Sequence, residues 1–190
     1  MRLLFLLSIT GIFLSNCKSE ISKGKVIQEH ITSESISGNL GGEDPKRSIY
    51  IYLPPNYEKS DEKYPVIYYL HGYTSSDKNA FLNRSLPEHT ELAIKKGIIP
   101  PSILVCANNF SNFQGSFYAN SKVSGNWEDF MTNDLVNYID KNYRTTKDKN
   151  SRMICGHSMG GYVALGLAMR HPDVYAAVYA LSPAFGTYYD

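Results

Sequence analysis

The stretch 152–172, RMICGHSMGGYVALGLAMRHP, constrains the fold more than any other part of the chain. A short apolar run ends at Gly156, and a helical pattern follows that stops at Pro172. Between them Gly156, Ser158 and Gly160 spell G-x-S-x-G, with Gly161 directly after. To pass from a buried strand into a helix in so few residues the backbone must turn sharply. Glycines on both sides let strand and helix approach, and they hold the Ser158 hydroxyl up at the carboxyl edge of a sheet, in the geometry of a nucleophile elbow.

The rest of the chain supplies such a sheet. Residues 64–76 (YPVIYYLHGYTSS) are continuously apolar or aromatic from Val66 to Leu70 and are broken by His71-Gly72, which reads as a buried parallel strand. Residues 101–109 and 174–185 have the same character. The segment 47–57 (RSIYIYLPPNY) is an alternating strand stopped by Pro54-Pro55. A helix is expected over 85–97, with Ser85 and Pro87 near its start and Gly97 at its end. Another is expected over 126–143, where Trp127, Phe130, Met131, Leu135, Tyr138 and Ile139 recur at three- and four-residue steps. Asn126 is placed to cap it, with Glu128 and Asp129 in the first turn, where the helix dipole favours them. Strands alternating with helices predict an α/β fold: a mostly parallel central sheet with helices on both faces.

The length fits one domain, and a formal charge of +1 makes no electrostatic case for a nucleic-acid partner. Most of the 15 tyrosines are expected to pack on strands. Residues 1–16 read as a signal peptide, with Arg2 before an apolar run from Leu3 to Leu14 that is too short to span a bilayer. The sequence Leu14-Ser15-Asn16-Cys17 resembles a bacterial lipobox, although Asn16 departs from the usual small residue. That likeness implies a lipid on Cys17, a mature N-terminus there and attachment to a membrane, or else simple secretion. Residues 17–25 then form a polar tether, and 26–190 the folded domain. Cys106 and Cys155 read as small buried thiols. Neither a C-x-x-C nor a His/Cys spacing for zinc is present, and no metal or organic cofactor is implied.

Ser158 is the candidate nucleophile. Its neighbour Met159 opens the helix, so the Met159 N–H points where an oxyanion would form. A second donor is expected from the loop His71-Gly72-Tyr73, with the Tyr73 N–H as the candidate. A serine also needs a base. His30 reads as a strand-surface residue, and His71 as a residue shaping the oxyanion loop. His89 lies near a helix start, and His157 faces the opposite way from Ser158. His171 ends the helix roughly 19 Å away. Asp129, Asp134 and Asp173 read as caps and solvated faces.

The segments RSIYIYLPPNY, YPVIYYLHGYTSS, GSFYANSKVSGNWEDFMTNDLVNYIDKNYRT and CGHSMGGYVALGLAMRHPDVYAAVYALSP, in this order from about residue 46 onward, resemble the esterase D-like family of α/β-hydrolases. That group includes feruloyl esterases, S-formylglutathione hydrolases, enterochelin esterases and mycolyltransferases. The resemblance implies that Ser158 is the nucleophile and that Met159 and Tyr73 hold the oxyanion. It also places the Val66–Leu70 strand between those carrying Cys106 and Cys155. Two strand spacings are about 9.5 Å, beyond the reach of a disulfide, so both thiols are expected to be free. In the family the acid and the histidine follow later strands. They are therefore expected beyond Asp190, and these 190 residues alone are expected to be nearly inactive.

The leading expectation is a serine esterase acting on small-molecule, carbohydrate or aryl esters. The segment 108–127, rich in aromatic and amide residues, is expected to rim its cleft. An acyltransferase would use the same serine. A surface or binding lipoprotein on a hydrolase scaffold is the alternative of another class, and labelling by a fluorophosphonate separates it from both.

Overall fold

The continuous apolar runs form the centre of one sheet. The computed structural model describes residues 22–184, so the leader, Cys17 and Asp190 lie outside the described residues. The first strands are β1 (Lys25–Thr32), β2 (Lys46–Leu53) and β3 (Val66–Leu70). Helix α1 (Leu86–Lys95) leads to β4 (Ile103–Ala107), and a two-residue ladder, β5 (Asn120–Ser121) with β6 (Gly125–Asn126), follows. Helices α2 (Trp127–Asp129) and α3 (Leu135–Asn142) precede β7 (Arg152–His157), α4 (Met159–Arg170) and β8 (Ala177–Leu181).

The main sheet has the order β1-β2-β4-β3-β7-β8. Strand β3 runs parallel to β4 and β7, and β8 parallel to β7. Strands β1 and β2 are antiparallel additions at one side. β3 thus lies between the strands of Cys106 and Cys155, as the resemblance implied, and both thiols are free and buried.

Both faces of the sheet are covered, which explains the uninterrupted apolar runs. On one face Ile49, Ile51, Val66, Leu70 and Val105 pack with Trp127, Phe130, Leu135, Ile139, Val163 and Leu167. On the other, Tyr50, Tyr52, Tyr69, Leu104, Cys106 and Cys155 pack with Phe81, Leu86 and Ile94. The Ile/Tyr alternation of β2 therefore divides two apolar cores, with no water-facing side from Ile49 to Leu53. Four tyrosines of β2 and β3 are buried, but among the described residues most tyrosines lie off the strands, against expectation.

Five expectations are corrected. The helix expected over 126–143 is interrupted by a π-helical turn, Phe130–Asp134, between α2 and α3. Asn126 makes no side-chain cap. The Asn120 carbonyl oxygen Oδ1 accepts instead from the N–H groups of Glu128 (3.0 Å) and Asp129 (3.2 Å). Pairing Asn120 with Asn126 in the β5–β6 ladder brings that side chain to the helix start. Asp134 is no solvated carboxylate: it accepts from Ser33 Oγ at 2.5 Å and from the Ser35 N–H at 3.0 Å, pinning the loop after β1. The last residues of the expected tether are already docked, since Ser22 Oγ donates to Asn56 and the Gly24 N–H donates to Glu91. Finally, the fourth strand is shorter than expected, spanning only Ala177–Leu181. Among the described strands β8 is an edge, with Val178, Tyr179 and Leu181 exposed.

Candidate active site

Ser158 sits between β7 and α4 with φ 56° and ψ −119°. For a residue with a Cβ this conformation costs about 1–3 kcal/mol and persists only where the surroundings enforce it. They do so through close backbone contact. A methyl group on Gly160 would lie 2.1 Å from the Leu70 carbonyl oxygen, and one on Gly156 would lie 2.5 Å from Gly160. One on Gly161 would lie 2.9 Å from the Leu181 oxygen. The Ser158 N–H donates to Leu181 O at 3.0 Å, and Ser158 O accepts from Tyr162 N at 3.0 Å. The turn is therefore clamped between β3, β8 and its own helix. The Ser158 side chain is left half-buried and caps no helix N–H.

The expected oxyanion loop lies against it. A methyl group on Gly72 would be 3.5 Å from Ser158 Cβ. Among the described residues, neither the Met159 N–H nor the Tyr73 N–H donates a hydrogen bond. The loop is set by His71, which is 1% exposed. Its Nε2 accepts from the Asn109 N–H at 2.9 Å, its Nδ1 meets Gly72 O at 2.9 Å, and its carbonyl accepts from Tyr118 Oη at 3.1 Å. Burial, with the Arg47 cation adding to it, pulls the His71 pKa down to about 4. His71 is a neutral strut, as the sequence suggested, and not a free base.

The other histidines lie elsewhere. His30 is exposed on β1, which is four strand positions from β7, or roughly 19 Å. His89 is exposed on α1. His157 turns to Arg84, 3.4 Å from Nη1. His171 closes the far end of α4, where it and Arg170 share Glu128. Among the described residues no histidine forms a hydrogen bond with Ser158, and no three His, Cys, Asp or Glu side chains converge as a metal site.

The far rim is only partly the segment expected. Thr74 N donates to Gln114 O at 2.9 Å, Tyr73 Oη to Phe113 O at 3.1 Å, and the Tyr73 and Phe117 rings lie 5.9 Å apart. Phe113 (57%), Phe117 (49%) and Tyr73 (46%) expose aromatic surface here. Residues 122 and 123 turn away and bond the loop at Leu40 and Gly41. Thr74, Gln114, Phe117 and Tyr118 all have positive φ, so strained backbone gathers around Ser158. Sequence reasoning missed the residues that hold this rim: Arg47, Glu43, Asn109 and Tyr118. Glu43 accepts from the Asn112 N–H at 2.7 Å, and Arg47 donates to the carbonyls of Asn108 and Phe110. No local motif marks them. A cavity of about 410 Å³ between Lys23, Tyr52, Pro87 and Leu92 is not lined by Ser158.

A parallel-centred sheet, a serine on a strand–helix elbow and a loop from the neighbouring strand define an α/β-hydrolase. The family model described as "Putative esterase" matches residues 43–187, and the chain belongs to that family. A ferulic acid esterase superposes with a TM-score of 0.74 at 27% identity, over 85% of this chain and 61% of that one. The S-formylglutathione hydrolase from Agrobacterium tumefaciens gives 0.67 at 20%, over 84% of this chain and 58% of that one. A ferulic acid esterase from Anaeromyces mucronatus, in complex with ferulic acid, gives 0.69 at 21%, over 89% and 61%. The last two show a shared fold. The chain spans about three fifths of the length of each.

Proposed function

We propose that the protein hydrolyses carboxylic esters through an acyl-enzyme on Ser158. The observation that carries this reading is the clamped, positive-φ Ser158 on its strand–helix elbow, with Gly72 of the expected oxyanion loop packed against its Cβ. Ser158 Oγ attacks the ester carbonyl, and the Met159 and Tyr73 N–H groups take the oxyanion. The alkoxide leaves with a proton, and water then releases the acid. The five histidines are buried as struts, paired elsewhere or exposed on distant elements. In this proposal the base is therefore supplied from outside the 190 residues, which alone retain at most about 10³–10⁴ over water. The exposed faces of Tyr73, Phe113 and Phe117 suit an aryl or sugar group on the ester. We further propose that the domain is exported and held at a membrane by a lipid on Cys17. A diacyl increment in the intact mass of the protein from its own cells tests that part.

The test of the reaction is p-nitrophenyl ester hydrolysis by full-length protein with and without Ser158→Ala, together with fluorophosphonate labelling. Loss of both turnover and labelling in the variant is expected. Undiminished turnover would falsify the proposal.

A further inference from the structure

Arg47 is a cation in the interior that spends its donors on backbone. It is 8% exposed, and the Trp127 ring covers it at 4.9 Å. Nε donates to Asn108 O at 3.0 Å, Nη1 to Asp44 O at 3.2 Å, and Nη2 to Phe110 O. Burial disfavours its charge, and the carboxylates of Glu43, Asp44 and Asp77 offset this. A buried charge is a poor way to gain stability alone. What this one does is hold both carbonyls that flank Asn109.

Asn109 leads to the site. Its N–H donates to His71 Nε2, which must therefore be bare, so the ring proton is on Nδ1. Nδ1 donates to Gly72 O at 2.9 Å, and the Ser75 N–H donates to the same oxygen at 3.2 Å. The Gly72–Tyr73 peptide is trans, so its N–H points opposite its carbonyl. Fixing the carbonyl fixes the direction of the Tyr73 N–H.

We infer that Arg47 is a positioning residue for the oxyanion: through Asn109 and His71 it aims the Tyr73 N–H. This rests on the esterase reading above. The charged group facing His71 is Arg47 itself, with Tyr118 Oη on the His71 carbonyl and the Asn109 N–H on Nε2.

The experiment compares Arg47→Met, His71→Asn and the double variant in full-length protein, with p-nitrophenyl butyrate. Losing one oxyanion donor lowers kcat by about 10²–10³, and misaiming one lowers it by about 10- to 100-fold. Arg47→Met should lower kcat by about 10- to 100-fold with KM within about twofold. The double variant should be no worse than the poorer single, because one relay is broken twice. A folded Arg47→Met with kcat within twofold of the parent overturns the inference, as do losses that multiply. If Arg47→Met does not fold, Arg47→Lys keeps the cation over Trp127 but loses the fork. Its kcat must then fall at least threefold, and an unchanged value overturns the inference equally. A second arm needs no turnover. Nitrogen-15 spectra should show His71 with a bare Nε2 and a protonated Nδ1, and a mixture of tautomers in Arg47→Met or Arg47→Lys. An unaltered tautomer in the variant overturns the relay. Should Ser158→Ala leave turnover intact, the esterase reading fails, and the nitrogen spectra still decide the relay.

Discussion

The two walls of the site are held in different ways. On the Ser158 side, Gly156, Gly160 and Gly161 press backbone against backbone, and no side chain takes part. On the facing side, Arg47, His71, Asn109, Glu43 and Asn112 hold the loops through hydrogen bonds between segments 38 to 71 residues apart. The first wall works by exclusion: nothing larger than hydrogen fits. The second works by polar satisfaction and is open to protonation. The proposed reaction needs an immovable nucleophile and an aimed oxyanion holder, and under that proposal the two walls meet these needs with unlike means.

The contrast can be broken experimentally. The largest effect is expected from Ser158→Ala in full-length protein: about 10⁶ in kcat for p-nitrophenyl esters, with the urea midpoint changed little, since the hydroxyl caps nothing. Next is Gly160→Ala. Its methyl would meet the Leu70 oxygen at 2.1 Å, and because that neighbour is backbone, a loss of about 3 kcal/mol in urea unfolding is expected. A midpoint within error of the parent would mean that the elbow yields, and the contrast would dissolve.

The facing wall should instead answer to pH. The His71 pKa falls from 6.5 unfolded to about 4 folded. Between those values the unfolded chain binds the extra proton, so stability rises with pH across the window and is lost as pH falls through it. The full span is about 3 kcal/mol. Urea midpoints of the parent from pH 7 to pH 4, against those of His71→Asn, measure it, and parallel curves would remove His71 as the sensor. The smallest effect belongs to neither wall. Arg170 first, then His171, hold the Glu128 carboxyl below its ordinary value of 4.5. That stabilisation is present above the unfolded pKa and fades as pH falls through the folded one. Glu128→Gln should lower stability by about 1 kcal/mol at pH 7, with the gap closing in acid, as read from paired urea titrations.

The same division explains what the sequence revealed. Strand β3, strand β7 and the elbow were legible because each is a contiguous pattern: an apolar run, then a residue that only local sterics can explain. The Asn120 cap was not, because the β5–β6 ladder carries it eight residues back across a turn. Arg47 reads as one scattered basic residue, and its role exists only once β2 lies antiparallel beside β4 and brings it to Asn108. The alternation of β2 was visible, but that its tyrosine side is as dry as its isoleucine side depends on α1 covering it. Short-range exclusion is written in neighbouring letters, whereas long-range polar pairing appears only after the chain has folded.

The free thiols on either side of β3 lend the sheet a built-in clock. Burial keeps both protonated: Cys155 is pushed up to about 12, and Cys106 lies well above its ordinary value. Alkylating reagents attack only the thiolate. In the closed fold both positions are silent, and each can be modified only when the cover of Phe81, Leu86 and Ile94 lifts from this face of the sheet. The rate at which iodoacetamide consumes them therefore counts openings of that face, and the spread between the two counts tells whether its cover lifts first over β4 or over β7.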